Sequence, residues 1–157
     1  MDSKKLISSS VDALCYIFNI KLYLCLYFLL TALVTVSSLI LFWNMPSEVV
    51  KALHTNIAVA IGYLPITFYY IIKLIKLIRN HNTYIFSTAC LCEYKKVGFN
   101  FAFSVRVGNE SGNGITRNTN SIFTTRSSIT QFDKWHNKNV IIAYDPNTEK
   151  VIVCREK

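Results

Sequence analysis

From Leu22 to Trp43 the chain runs 22 residues without a charged side chain. At about 1.5 Å per residue a helix of that length crosses a hydrocarbon layer of about 30 Å, so this stretch reads as a membrane span. A second apolar stretch, Ala52 to Ile72, holds His54 and Asn56 near its beginning and is otherwise apolar, and it reads as a second span. The overall balance agrees, since 52% of residues are hydrophobic and only 17% charged, which favours a membrane anchor plus a small domain over one soluble domain.

Ahead of the first span lies a polar leader with Lys4 and Lys5 and no small-residue cleavage site after the apolar stretch, so it is not expected to be a cleaved signal peptide. Within it Leu6, Ile7, Val11, Leu14, Cys15, Ile17 and Phe18 recur at helical spacing. They suit a helix lying on the membrane surface or an extension of the first span, and Asn19 and Lys21 favour the former. Between the spans, Asn44 to Lys51 contains Pro46 and Ser47, which predict a tight reversal and hence a hairpin. Gly62 and Pro65 in the second span predict a kink or a locally opened hydrogen-bond ladder, with no mid-depth ionisable residue to suggest transport.

Cationic residues fix the expected orientation. Lys4, Lys5 and Lys21 precede the first span and Lys73, Lys76 and Arg79 follow the second, whereas the connector has only Lys51 offset by Glu48. Positive residues stay on the cytoplasmic side, so both termini are expected in the cytoplasm of a bacterial cell, with the chain multi-pass in the inner membrane. The net charge of +8 also suits anionic lipid headgroups, which Lys73 and Lys76 can reach by snorkelling.

After Asn82 the composition changes. Stretches such as "TYIFSTACLCEY" and the alternating "FNFAFSVRV" predict strands, the second with Phe99, Phe101, Phe103, Val105 and Val107 on one face. "GNESGNG" predicts a turn, "ITRNTNSIFTTRSSIT" one or two more strands, and "NVIIAYDPNTEKVIVCRE" a closing hairpin turning at Asp145-Pro146-Asn147. The expected plan is a membrane α + β protein: a leader over 1–21, a transmembrane hairpin over 22–80 with spans at about 22–43 and 52–72, and a cytoplasmic small antiparallel β sandwich or barrel over 81–157.

No catalytic set is legible. Cys90-Leu-Cys92 lacks zinc-ligand spacing and suits packing on one strand face, "GNESGNG" lacks the Lys-Ser/Thr of a phosphate loop, and His136 in "DKWHNK" has no spaced partner. The chain is therefore expected to be a non-enzyme with no cofactor and no metal. Arg106, Arg117, Arg126, Lys134, Trp135 and His136 are the candidates for contact with a partner or ligand, by charge and stacking if they share a face. A basic surface held near lipid explains the same residues, and specific nucleic-acid binding is not expected.

The Lys4-Lys5 leader, the hairpin from Leu22 to Ile72, the basic exit "KLIKLIR" and the compact tail together resemble the small inner-membrane exclusion proteins of temperate phages and conjugative plasmids, such as those of P22-like phages. The likeness covers the whole chain as architecture and composition, without a shared motif. It implies a host inner-membrane protein, encoded by a prophage or plasmid, that blocks incoming DNA by contacting phage ejection or conjugative transfer proteins, with a homo-oligomer possible. Frequent Phe, Tyr, Ile, Asn and Lys, residues of AT-rich codons, fit such mobile genes. The alternative plan is a membrane effector whose β domain binds a nucleotide signal and drives the helices to oligomerise, an outline shared with certain antiphage effectors.

Overall fold

The computed structural model describes residues 2–42, 46–97, 100–107, 115–119, 122–123 and 135–156. They form two compact units: Tyr16–Leu74, and Met1–Cys15 together with Ile75–Lys157. The expected turn at "GNESGNG" lies outside the described residues, as do Arg126 and Lys134.

Helices come first along the chain: α1 (Ser3–Ser8), α2 (Val11–Phe42) and α3 (Pro46–Arg79). Asp2 starts α1 by accepting the amides of Lys4 and Lys5 at 3.1 and 3.4 Å. The hydroxyls of Ser8 and Ser9 turn back onto the Lys5 carbonyl and occupy an acceptor at the helix end. Ser10 then caps α2, its Oγ accepting the Ala13 amide at 3.3 Å while donating to the Ile7 carbonyl at 2.7 Å. The run of serines thus converts one expected helix over residues 6–20 into a short helix, a break, and the opening turns of a long one. Pro46 opens α3, where its missing N–H costs no helical bond, and the helix continues through Pro65.

Within the unit Tyr16–Leu74, α2 and α3 are antiparallel neighbours. Tyr23 stacks on Tyr70 at 5.9 Å and meets Tyr63 at 6.3 Å, Tyr16 meets Tyr70 at 6.2 Å, and nearer the connector the Asn56 amide donates to Thr35 Oγ1 at 3.1 Å. Polar and aromatic groups therefore line the seam between the helices. Much of their remaining surface is apolar and unburied: Phe28, Leu29, Leu33, Val36 and Ile40 on α2, and Ile57, Ile61, Phe68 and Ile72 on α3, with Ile40 74% and Ile61 68% exposed. Both helices are long and apolar enough to cross a membrane.

The second unit is built on a sheet of strands β1 (Ile85–Val97), β2 (Asn100–Val107), β3 (Ile115–Asn118), β4 (Ile122–Phe123), β5 (Asn139–Asp145) and β6 (Lys150–Glu156), reached from α3 through a 3-10 turn at His81–Thr83. The order is β3-β2-β1-β5-β6, with β4 also pairing with β2, and every strand pairing is antiparallel. The alternation read in "FNFAFSVRV" is present, Phe103 and Val105 being buried and Arg106 exposed. Where the sequence predicts one or two strands in "ITRNTNSIFTTRSSIT", β3 and β4 are present, and the closing hairpin is β5–β6.

Two expectations need correction. Among the described residues the sheet is open, neither a sandwich nor a closed barrel, and its edges touch through the parallel bridge of Thr119 to Val151. A second sheet is unnecessary because the N-terminal segment covers the apolar face itself. Val11 and Cys15 of α2 join Ala89, Leu91, Phe103, Val105, Val140, Ile142, Val151 and Val153 in one core, with Trp135 and Tyr144 packed against it. For the same reason four of the leader's apolar side chains are not available to a lipid surface, whereas Leu14 is exposed. Leu6, Ile7, Val11 and Cys15 are buried in protein, and α1 lies against β6 and the 3-10 turn. Burying them against the sheet removes them from water as effectively as lipid would.

Candidate functional site

Register decides which of the basic residues in the tail can act together. Val105 pairs with Arg117 and Arg106 with Thr116 across β2 and β3. Cross-strand partners share a face, so Arg117 stands on the inner, core side with Val105, while Arg106 points to the outer side. Arg106 is exposed there, opposite Cys90 on β1. Arg106 and Arg117 therefore lie on opposite faces of the sheet.

Arg117 is engaged within the fold. Its guanidinium lies over the Tyr144 ring, 4.8 Å from the centroid, and its Nη1 is 3.7 Å from a carboxylate oxygen of Glu149. Glu149 sits at φ 53 in the β5–β6 connection, a left-handed conformation that aims its side chain back across the sheet edge. Trp135 is likewise structural, half-buried against the core, and the 135–138 turn is tied to β1 by Leu91 N–H donating to the Lys138 carbonyl and Asn137 N–H to the Leu91 carbonyl. His136 is exposed on that turn. Of the described candidates, Arg106 and His136 are the ones that face solvent.

The basic residues flanking the helices are all exposed, namely Lys4, Lys5 and Lys21 before α2 or on it, and Lys73, Lys76 and Arg79 on α3. Lys73 lies 5.4 Å from the centroid of the Tyr69 ring, one turn earlier, which orders its stem along the helix while leaving the ammonium accessible.

Two features of the β module escaped sequence reasoning. Thr119 is buried and exchanges two bonds with Phe103: its Oγ1 accepts the Phe103 amide at 2.8 Å and its own amide donates to the Phe103 carbonyl at 2.8 Å. This clasp holds the chain leaving β3 against β2, next to the Val151 bridge. Asp12 is more unusual. It is 2% exposed, and its Oδ1 has no hydrogen-bond partner among the described residues. Burial pushes its carboxyl from the ordinary 3.8 to about 7, with the charge of Lys150 pulling the other way. A lone acid amid helically spaced apolar residues, just after a serine cap, was the available sequence signal.

Cys90 and Cys92 stand on one strand face, half-buried, with Cys92 Sγ directed at the Cys90 carbonyl at 3.5 Å. Burial, with the neighbouring Cys92 second, pushes the Cys90 thiol up, away from nucleophilic use. Among the described residues no group of three or more His, Cys, Asp or Glu is placed to hold a metal.

The chain matches no protein-family model, no curated protein and no solved structure.

Proposed function

We propose that the chain is a two-span protein of the bacterial inner membrane that excludes incoming phage or plasmid DNA, acting without catalysis by contacting the machinery that delivers it. The observation that carries the membrane reading is the unburied apolar surface of α2 and α3. A hairpin that leaves so many large apolar side chains exposed, with the Asn56–Thr35 pair held between its helices, is suited to lipid and costly in water. A lipid-crossing part of α2 starting at Leu22 is supported by Val11 and Cys15, which belong to the β module's core, and by the exposed Lys21. Six exposed cations at Lys4, Lys5, Lys21, Lys73, Lys76 and Arg79 support placing both termini and the β module in the cytoplasm.

Exclusion is supported by architecture: a short anchor, a basic exit and a compact module. The nucleotide-effector reading is weaker, since Arg117 is occupied by Tyr144 and Glu149 and Arg106 lies on the opposite face.

The test is expression in a bacterium challenged with phages and conjugative donors. Normal adsorption with loss of DNA entry in unharmed cells is expected; unimpeded entry of every tested phage and plasmid overturns the reading. A cytoplasm-active reporter fused after Lys157 should be active, and chain recovered in the soluble fraction without detergent rejects the membrane premise.

A further inference from the structure

The first turn of α2 carries a carboxyl where the fold needs an apolar or paired group. Val11 and Cys15 on either side of Asp12 are buried in the main core, Ser10 caps the turn from a fully buried position, and Ala13 is fully buried as well. Asp12 is thus enclosed in the seat that joins this helix to the sheet, with one carboxyl oxygen unsatisfied among the described residues.

The groups acting on it come from the elements packed nearby. Lys150, exposed at the start of β6, acts on Asp12 by its charge and favours the anion. Tyr84, which leads into β1, feels Asp12, Asp145 and Cys154 together, so these share one neighbourhood. Lys4 and Lys5 of α1 are exposed. The helix's own N-terminal dipole favours the anion, yet burial dominates.

We propose that Asp12 is a proton-operated latch: with its carboxyl neutral, the first turn of α2 stays seated on the sheet, and ionisation loosens that seat. An ionised carboxylate with an unfilled oxygen is poorly tolerated in an apolar core, whereas the neutral acid is tolerated well. The shift to about 7 places the change near neutrality, where small changes in internal pH alter the seated population. The latch concerns the β module alone and stands whether or not the exclusion reading holds.

Cys15, buried one turn beyond Asp12, reports the opening. The full chain in detergent micelles is exposed to N-ethylmaleimide at pH 6 and pH 8, and peptide mass spectrometry measures alkylation at Cys15. Asp12→Asn measured in parallel cancels the thiol's own pH dependence. Taking 3.8 for the released carboxyl and about 7 for the seated one, the wild-type to Asp12→Asn labelling ratio should rise about tenfold between the two pH values. An unchanged ratio overturns the latch. Should Asp12→Asn fail to fold, carbon-13 titration of the Asp12 carboxyl in the wild-type chain decides: a midpoint near 7 supports the proposal, and one below 5 overturns it.

Discussion

Arg117 and Tyr144 touch across the open side of the sheet, guanidinium over ring at 4.8 Å, although β3 is an edge strand and β5 is separated from it by β2 and β1 on one side and by β6 on the other. Together with the Thr119–Val151 bridge, this contact draws the two edges toward each other around the core. Replacing Arg117 by Ala removes the cation–π contact and a loose, largely solvated ion pair. A stability loss of about 1 kcal/mol is expected, most of it from the ring contact. Urea unfolding followed at Trp135 in a Trp43→Phe background measures it, and an unaltered midpoint would show that Arg117 is idle in the fold and open to a ligand role.

The Thr119 clasp should be stronger. Thr119→Val keeps the shape but strands the buried Phe103 amide, which costs about 1–3 kcal/mol, whereas Thr119→Ser keeps the acceptor and should lose less. A larger loss for Thr119→Ser than for Thr119→Val would assign the effect to methyl packing instead.

Ser10→Ala removes the cap at the start of α2. About 1 kcal/mol should be lost from the β module, with Ser10→Asp restoring part only if the buried position admits a second carboxylate beside Asp12. Helix content and the unfolding midpoint of both variants are the readouts.

Two acids predict opposite pH responses. Asp12 has a native value raised above its unfolded one, so its contribution to stability is full below 3.8 and is lost as pH rises through about 7, with a slope of up to about 1.4 kcal/mol per pH unit in that window. Asp145 is lowered, chiefly by the Thr148 hydroxyl at 2.6 Å; burial, next in weight, opposes this, and the Asn147 amide at 3.0 Å and the charge of Lys150 add to the lowering. Its contribution is present above the ordinary carboxylate value and is lost as pH falls below it. Lys150→Gln should therefore move the Asp12 midpoint upward, and Thr148→Val should flatten only the acid limb. Stability measured from pH 3 to 9 for the three chains separates the two effects; a Lys150→Gln midpoint that stays in place contradicts the assignment.

Gly62 in α3 meets nothing within 4 Å at the place a Cβ would occupy. Gly62→Ala should leave the hairpin's stability unchanged or raise it by up to about 1 kcal/mol, because alanine favours helix and no neighbour is displaced. A clear loss of stability or oligomer in micelles would reveal a close approach by another molecule at that face.

The sequence by itself determined the helices, the strands and their register of exposure. Charge-free length marked the stretch from Leu22 onward as a long apolar helix, two-residue alternation in β2 separated Phe103 and Val105 from Arg106, and Asp145-Pro146-Asn147 marked the last hairpin. These signals are local, set by backbone period and turn chemistry. Only the tertiary structure decided that Leu6, Ile7, Val11 and Cys15 would be buried in protein, that Arg106 and Arg117 would part to opposite faces, and that Asp12 would be sealed beneath a helix turn. Those outcomes depend on residues brought together from distant points of the chain. An apolar stripe records that it must be covered, and strand pairing across the sheet settles by what.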